Sequence, residues 1–249
     1  MTNNTVINSL SPTSSWQALD NGILFAKQHF SSVWKPLLIV LIILSILLVL
    51  LLPDDSLYWC ILIIWWLKPL LDRFILSIYS ECATGSAVNF RYSLRLLKRV
   101  VFGTSLWRDL TINRISMIRS FRLPVYQLEK QKGKDAKNRI TVLSHNTSGR
   151  AVNLTFLAVH MEFLITLTIF TMVWFLIPQE FRSTFLDDGL SGDSYYYELI
   201  TITLYCISVL IIEPLYVASG FILYLNKRVI LEGWDIEIGF KNLYNRMTG

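Results

Sequence analysis

A glutamate in the middle of a stretch long enough to cross a bilayer is the strongest constraint in this sequence. Residues 199–225, LITITLYCISVLIIEPLYVASGFILYL, carry one charge, Glu213, which Pro214 follows. A second such stretch, 154–178, holds His160 and Glu162 at a similar depth. A carboxylate at a bilayer centre costs about 2.5–3.5 kcal/mol on insertion scales, so it is expected to face protein and find a partner there. The two stretches predict an all-α, polytopic membrane protein whose helices are joined through buried charge.

Composition agrees. The chain is 53% hydrophobic and 16% charged, against roughly 25% charged in soluble domains, and its mean hydropathy is +0.46. Two further apolar stretches, 34–52 and 57–79, bring the expected spans to four in a single membrane domain, 1–249. The first is retained rather than cleaved: no small-residue cleavage site follows it, and another span begins within a few residues. The second is interrupted by Lys68, Pro69, Asp72 and Arg73. Eleven apolar residues before Lys68 cannot cross alone. Either a Pro-kinked helix runs on to about Tyr79, or the chain turns into the interface at Pro69. The kinked helix is favoured, since neighbouring helices can satisfy backbone that Pro leaves unpaired.

Outside the spans, residues 14–32 are expected to form an interfacial amphipathic helix, capped by Ser14 or Ser15, with Trp16, Leu19, Ile23, Leu24 and Phe30 as its apolar stripe, or else a simple cytoplasmic extension of the first span. Residues 85–150 hold 14 Lys/Arg against Asp109, Glu129 and Asp135. Within them Phe90, Leu94, Leu97 and Val101 oppose Arg91, Arg95, Lys98 and Arg99, a basic amphipathic helix suited to anionic lipid headgroups. The chain is expected to break at Pro124. Nucleic acid is not expected, because the aromatic residues are not interleaved with the bases as stacking platforms require. The loop 53–56 has no Lys or Arg, and the loop after 178 is acidic apart from Arg182. The N-terminal flank, the middle loop and the tail 226–249 are basic, so both termini are placed in the cytoplasm.

Counting about 1.5 Å per residue from the outer face places Lys68 about 16 Å down, Asp72 and Arg73 about 22–24 Å, Glu213 about 21 Å, Glu162 about 23 Å and His160 about 26 Å. These six form an expected polar network within one layer, with Glu213 joined to Lys68 or Arg73. The network is read first as a packing device that fixes helix partners and register, and second as a proton or ion relay or a polar substrate site. As a metal site, His160, Glu162 and Glu213 lack any HExxH-like spacing. His29 and His145 have no evident catalytic partners. Cys60, Cys82 and Cys206 form no CxxC, so neither a disulfide framework nor a zinc site is expected. There is no nucleophile elbow, Walker loop or dinucleotide-binding glycine pattern. No cofactor is expected.

After the last span, Arg228 and Glu232 are spaced to pair, Gly233 is a natural helix stop and Asp235 a candidate cap. Together with Tyr224, these residues make the tail resemble the end of the membrane domain of glycerophosphoryl diester phosphodiesterases and of uncharacterised bacterial multi-pass families. Other blocks resemble one such bacterial subgroup: Ala18 to Gly22 with His29, Trp66 to Arg73, Arg119 to Val125, and Glu213-Pro214. The resemblance implies a helical membrane domain, often encoded beside transglutaminase-like or MoxR-type ATPase membrane systems. It adds nothing about chemistry, because the phosphodiesterase barrel has no counterpart in these residues.

The favoured role is a non-enzymatic scaffold or accessory subunit of an inner-membrane assembly, with lipid, other membrane subunits or cytoplasmic proteins as partners. The alternative is a small transporter or ion-coupled component using Glu162 and Glu213, and the third is a membrane hydrolase. A water-filled cavity at Glu213 would favour transport. A dry, fully paired cluster beside an exposed apolar groove would favour the scaffold, and His with carboxylates around a metal the hydrolase.

Overall fold

Long apolar runs fold into long helices, and the computed structural model is built from them. It describes residues 12–86, 88–101, 116–180, 182–183 and 195–233. Among these the chain forms eight α-helices and no strand: α1 Ser15–Gln28, α2 Phe30–Leu51, α3 Trp59–Ala83, α4 Phe90–Val101, α5 Arg119–Gln127, α6 Gly133–Ser144, α7 Ser148–Leu176 and α8 Tyr195–Glu232. Three of them, α2, α7 and α8, are long and apolar enough to cross a membrane. The fourth expected span, α3, has 25 residues and so is about 37 Å long. It misses on composition, because Lys68, Asp72 and Arg73 sit in its middle.

Prolines do not break these helices. α3 is helical on both sides of Pro69, so the chain does not turn away there. Pro124, expected to end a segment, lies inside α5. The end of α5 is held instead by the Pro124 carbonyl, which accepts from the amides of Leu128 and Glu129 at 2.7 and 3.2 Å.

The core is organised around α8, which buries both faces over its second half, from Ser208 to Val229. α1 lies along that half in the opposite direction. Ser14 caps α1, its Oγ accepting from the Gln17 amide at 3.2 Å. Thr13 is tied to Asn226 by three hydrogen bonds of 2.9–3.1 Å. The buried face of α1 is Ala18, Leu19, Gly22, Phe25 and Ala26. The small residues at 18, 22 and 26 repeat every four positions, which lets two helix backbones approach closely. At Gly22 the approach is absolute: a Cβ there would lie 2.4 Å from Ser219 Cα. Of the apolar stripe expected for α1, only Leu19 faces this core; Trp16, Ile23, Leu24 and Phe30 are exposed. Small residues allowed the tighter packing, so the bulky ones turn outward.

Aromatic side chains fill the centre. The Phe25 ring lies 5.3 Å from Tyr79 and 6.4 Å from Phe221, and Phe121 meets Tyr224 at 6.5 Å. These contacts join α1, α3, α5 and α8, each worth about 0.5–1.5 kcal/mol beyond area burial. α4 buries Ser93, Leu96 and Val100 while Phe90 is 40% exposed. That face is rotated from the expected one; Arg91, Arg95 and Lys98 are exposed as expected, and the side chains of Arg99 and Val101 lie outside the described residues. α7 is the least embedded long helix, burying only Ala151 and Glu162.

Candidate polar site

Helical spacing builds the site from four elements. Lys68 and Asp72 stand one turn apart on α3, so their side chains share a face. α8 presents Glu213 to that face, and α7 presents Glu162. Lys68 bridges the two acids: Nζ is 2.9 Å from Glu213 Oε2 and also pairs with Glu162. The fourth element is unforeseen. Arg119, the first residue of α5, places Nε 2.8 Å from Asp72 Oδ2 and Nη2 3.3 Å from Glu213 Oε1.

The five charges alternate in sign, Glu162, Lys68, Glu213, Arg119, Asp72, so each sits against opposite charge. Asp72 and Glu213 are 0% and 1% exposed. Alternation is what allows this, because an isolated buried charge costs several kcal/mol even after relaxation. Arg73, also buried, is not the α3 cation at Glu213. Lys68 takes that place, and the Arg73 carbonyl accepts from Gln127 Nε2 at 2.9 Å.

Local packing brings Arg119 in. A Cβ at Gly220 would lie 2.4 Å from Ser120 Cβ, so the glycine lets the start of α5 lie directly on α8. The Ser120 amide donates to Tyr216 Oη at 3.2 Å, and the Arg119 guanidinium lies 5.5 Å from the Tyr216 ring. Depth counting along the spans missed Arg119 because it belongs to the connecting segment. Its signal was present in the resembling block Arg119 to Val125.

His160 is not part of the site. Two residues from Glu162 on a helix is about 200° of rotation, so placing Glu162 inward sends His160 outward. It is exposed, with Nδ1 2.8 Å from the Phe156 carbonyl and its ring 3.9 Å from that of Phe156. The triad His160, Glu162 and Glu213 is therefore not assembled, and among the described residues no three His, Cys, Asp or Glu converge as metal ligands. On the inward face of α7, Glu162 is flanked by Thr155, whose Oγ1 is 3.1 Å from Tyr216 Oη, and by Thr166, which donates to Ser208 Oγ at 2.8 Å. This seam of three polar contacts holds a helix that buries almost nothing else.

A cavity of about 320 Å³ reaches the cluster, bordered by Lys68, Arg119, Glu162, Glu213, Tyr216 and Thr155. Its rim includes Trp65, Met117 and Val159, which are 47%, 53% and 58% exposed. A void of about 10 Å³, near the size of one water, lies beside Asp72, Arg119, Arg122 and Tyr126. A separate apolar groove of about 460 Å³ runs between α2 and α8, past Leu41, Ile46, Cys206 and Leu210.

A second charged cluster gathers the tail residues. Tyr224 Oη donates to Glu129 Oε1 at 2.7 Å, and Arg139 Nε to Glu129 Oε2 at 2.9 Å. Arg228 Nη2 donates to Glu232 Oε2 at 2.8 Å, and Arg139 also pairs with Glu232. Burial pushes the Glu129 carboxyl up, but hydrogen bonds from Arg139 and Tyr224 outweigh it and leave it below its ordinary value. Glu232 is likewise lowered: its burial is outweighed by Arg228 and Arg139. Gly233 has φ +65°, the left-handed conformation that ends a helix. Pro214 lies within α8 directly after Glu213, while Asp235 lies outside the described residues. The cluster joins the end of α8 to α6 and to the loop after α5, so a motif legible only as a helix end is a three-way brace.

Searches against protein-family models, curated proteins and solved structures each return no match for this chain.

Proposed function

We propose that the chain is a bacterial inner-membrane protein in which α2, α3, α7 and α8 all cross, with both termini cytoplasmic. In this reading α3 crosses because its charges face protein. The alternating cluster is a working polar site, and the protein is a small transporter or ion-coupled membrane component using Glu162 and Glu213. The observation that carries this is the cavity of about 320 Å³ that reaches both carboxylates. A cluster serving only to fix helix register would be expected to pack without one. Exposed Arg91, Arg95 and Lys98 on α4 then lie against anionic headgroups of the inner leaflet.

Cysteine accessibility tests the reading. In a background lacking Cys60, Cys82 and Cys206, Ala158→Cys at the cavity wall should react with a charged, membrane-impermeant thiosulfonate in inside-out vesicles. Ile43→Cys, exposed on α2, should not. If Ala158→Cys stays unreactive from both sides, the cluster is dry and the reading fails.

The apolar groove between α2 and α8 favours a second reading, the scaffold or accessory subunit, in which a partner helix lies along it. Crosslinking from Ile46 to another subunit in native membrane would support that role, and recovery of the chain alone under every mild detergent would oppose it.

A further inference from the structure

The cavity is polar within and apolar at its mouth, and that division says what it can hold. Resting on the reading that the cavity is a working site, we propose that it is the headgroup pocket for a zwitterionic aminophospholipid entering from the inner leaflet between α3 and α7.

Position comes first. At about 1.5 Å per residue from Leu57, Leu199 and Ile177, the outer ends of the apolar stretches, Lys68 lies about 16 Å down, Glu213 about 21 Å and Thr155 about 33 Å. In a hydrocarbon core about 30 Å thick the cavity therefore runs from about mid-depth to the level of the inner headgroups. Its rim residues Trp65 and Val159 are exposed on α3 and α7, so the mouth gives onto acyl chains. A ligand entering there carries hydrocarbon of its own.

Charge selects the head. The interior presents Lys68 and Arg119 beside Glu162 and Glu213, already paired with one another. A purely anionic or cationic head would break a pair and leave a buried charge unmatched, which is strongly unfavourable. A zwitterion exchanges one internal pair for two external ones. Its phosphate takes Lys68 and Arg119, its ammonium takes Glu162 or Glu213, and the net charge is unchanged. A primary ammonium offers three hydrogen-bond donors to the carboxylates, whereas a quaternary one offers none. The Thr155 and Tyr216 hydroxyls, 3.1 Å apart, border the same space and can bond phosphate oxygens. A cavity of about 320 Å³ stands at the small end of ligand pockets, which suits a compact head and excludes a glycan.

Entry requires α7 to yield, and α7 is built to do so. It buries two residues of 29 and is held by the polar seam of Thr155, Glu162 and Thr166. The Lys68–Glu162 pair is at once the latch of this wall and one of the pairs the incoming head replaces.

The test is native mass spectrometry of the full chain, released from detergent after exchange into equal amounts of phosphatidylethanolamine, phosphatidylcholine and phosphatidylglycerol with matched acyl chains. Phosphatidylethanolamine should be retained about tenfold over each of the others. Val159→Trp, which fills the mouth and keeps every charge, should lower retention by a similar factor, while Phe163→Trp, exposed elsewhere on α7, should not. Glu213→Gln should abolish the preference for the primary amine. Equal retention of the three lipids, a preference for phosphatidylglycerol, or retention indifferent to Val159→Trp overturns the assignment. Labelling of Ala158→Cys without lipid preference would leave the polar site standing and remove only its ligand.

Discussion

Removing Lys68 separates the two carboxylates it bridges, and the structure sets what that costs. In Lys68→Met, Glu213 keeps Arg119 at 3.3 Å, but Glu162 loses the cation it faces. Breaking a buried pair by deleting one partner costs about 3–5 kcal/mol. With one of two acids still compensated, the lower end applies, about 3 kcal/mol. For a chain of this size that corresponds to a fall in melting temperature of roughly 6–12 °C. Cys60 and Cys82 are buried while Cys206 is half-buried, so in a Cys206→Ser background a thiol-reactive fluorophore reports unfolding in detergent. Adding Glu162→Gln to Lys68→Met removes the orphaned charge and should recover about 2 kcal/mol. A single variant melting within about 2 °C of the wild type, or a double variant no more stable than the single, would refute the bridging role.

Three other outcomes follow from the packing and the tail cluster. Gly22→Ala should cost about 1–3 kcal/mol by forcing α1 off Ser219, whereas Gly149→Ala, with nothing within 4 Å of the new Cβ, should be neutral or slightly stabilising in the same melting assay. His160→Ala should change stability by less than about 0.5 kcal/mol, since among the described residues its ring meets Phe156 of its own helix. Glu129 and Glu232 titrate below their ordinary value of 4.5 when folded, so near that pH the unfolded chain binds more protons. Their stabilisation is present above about pH 4.5 and is lost as pH falls through the folded values. Melting temperature should therefore drop on acidification, and the drop should be shallower in Glu129→Gln.

Much of the site was legible because one helical rise fixes depth. Lys68, Asp72, Glu162 and Glu213 were placed at similar depths by counting alone, and the structure brings all four together. Rotation was harder to read. Depth put His160 in the layer, but azimuth excludes it, since two residues on a helix point nearly opposite ways. Arg119 escaped for another reason: it enters from a connecting segment, where counting along spans has no purchase, and its docking depends on a glycine 101 positions away, Gly220. The α1 stripe misled because hydrophobic periodicity rewards bulk. The face that packs is the one with Ala18, Gly22 and Ala26, where closeness of backbones outweighs side-chain area. The tail motif could be read as a helix end, but not as a brace, because Glu129 and Arg139 lie about 90 residues earlier in the chain.

The contact between Lys68 and the two glutamates carries everything else, and it can be measured directly. Solid-state NMR dipolar recoupling in proteoliposomes, with ¹⁵N at the Lys68 side chain and ¹³C at the glutamate carboxyls, reads the separation; Glu162→Gln and Glu213→Gln assign each coupling. With N···O at 2.9 Å to Glu213, both nitrogen–carboxyl distances should lie under about 4 Å. Distances beyond about 6 Å to either carboxyl, outside the range of ion pairing, would contradict the account.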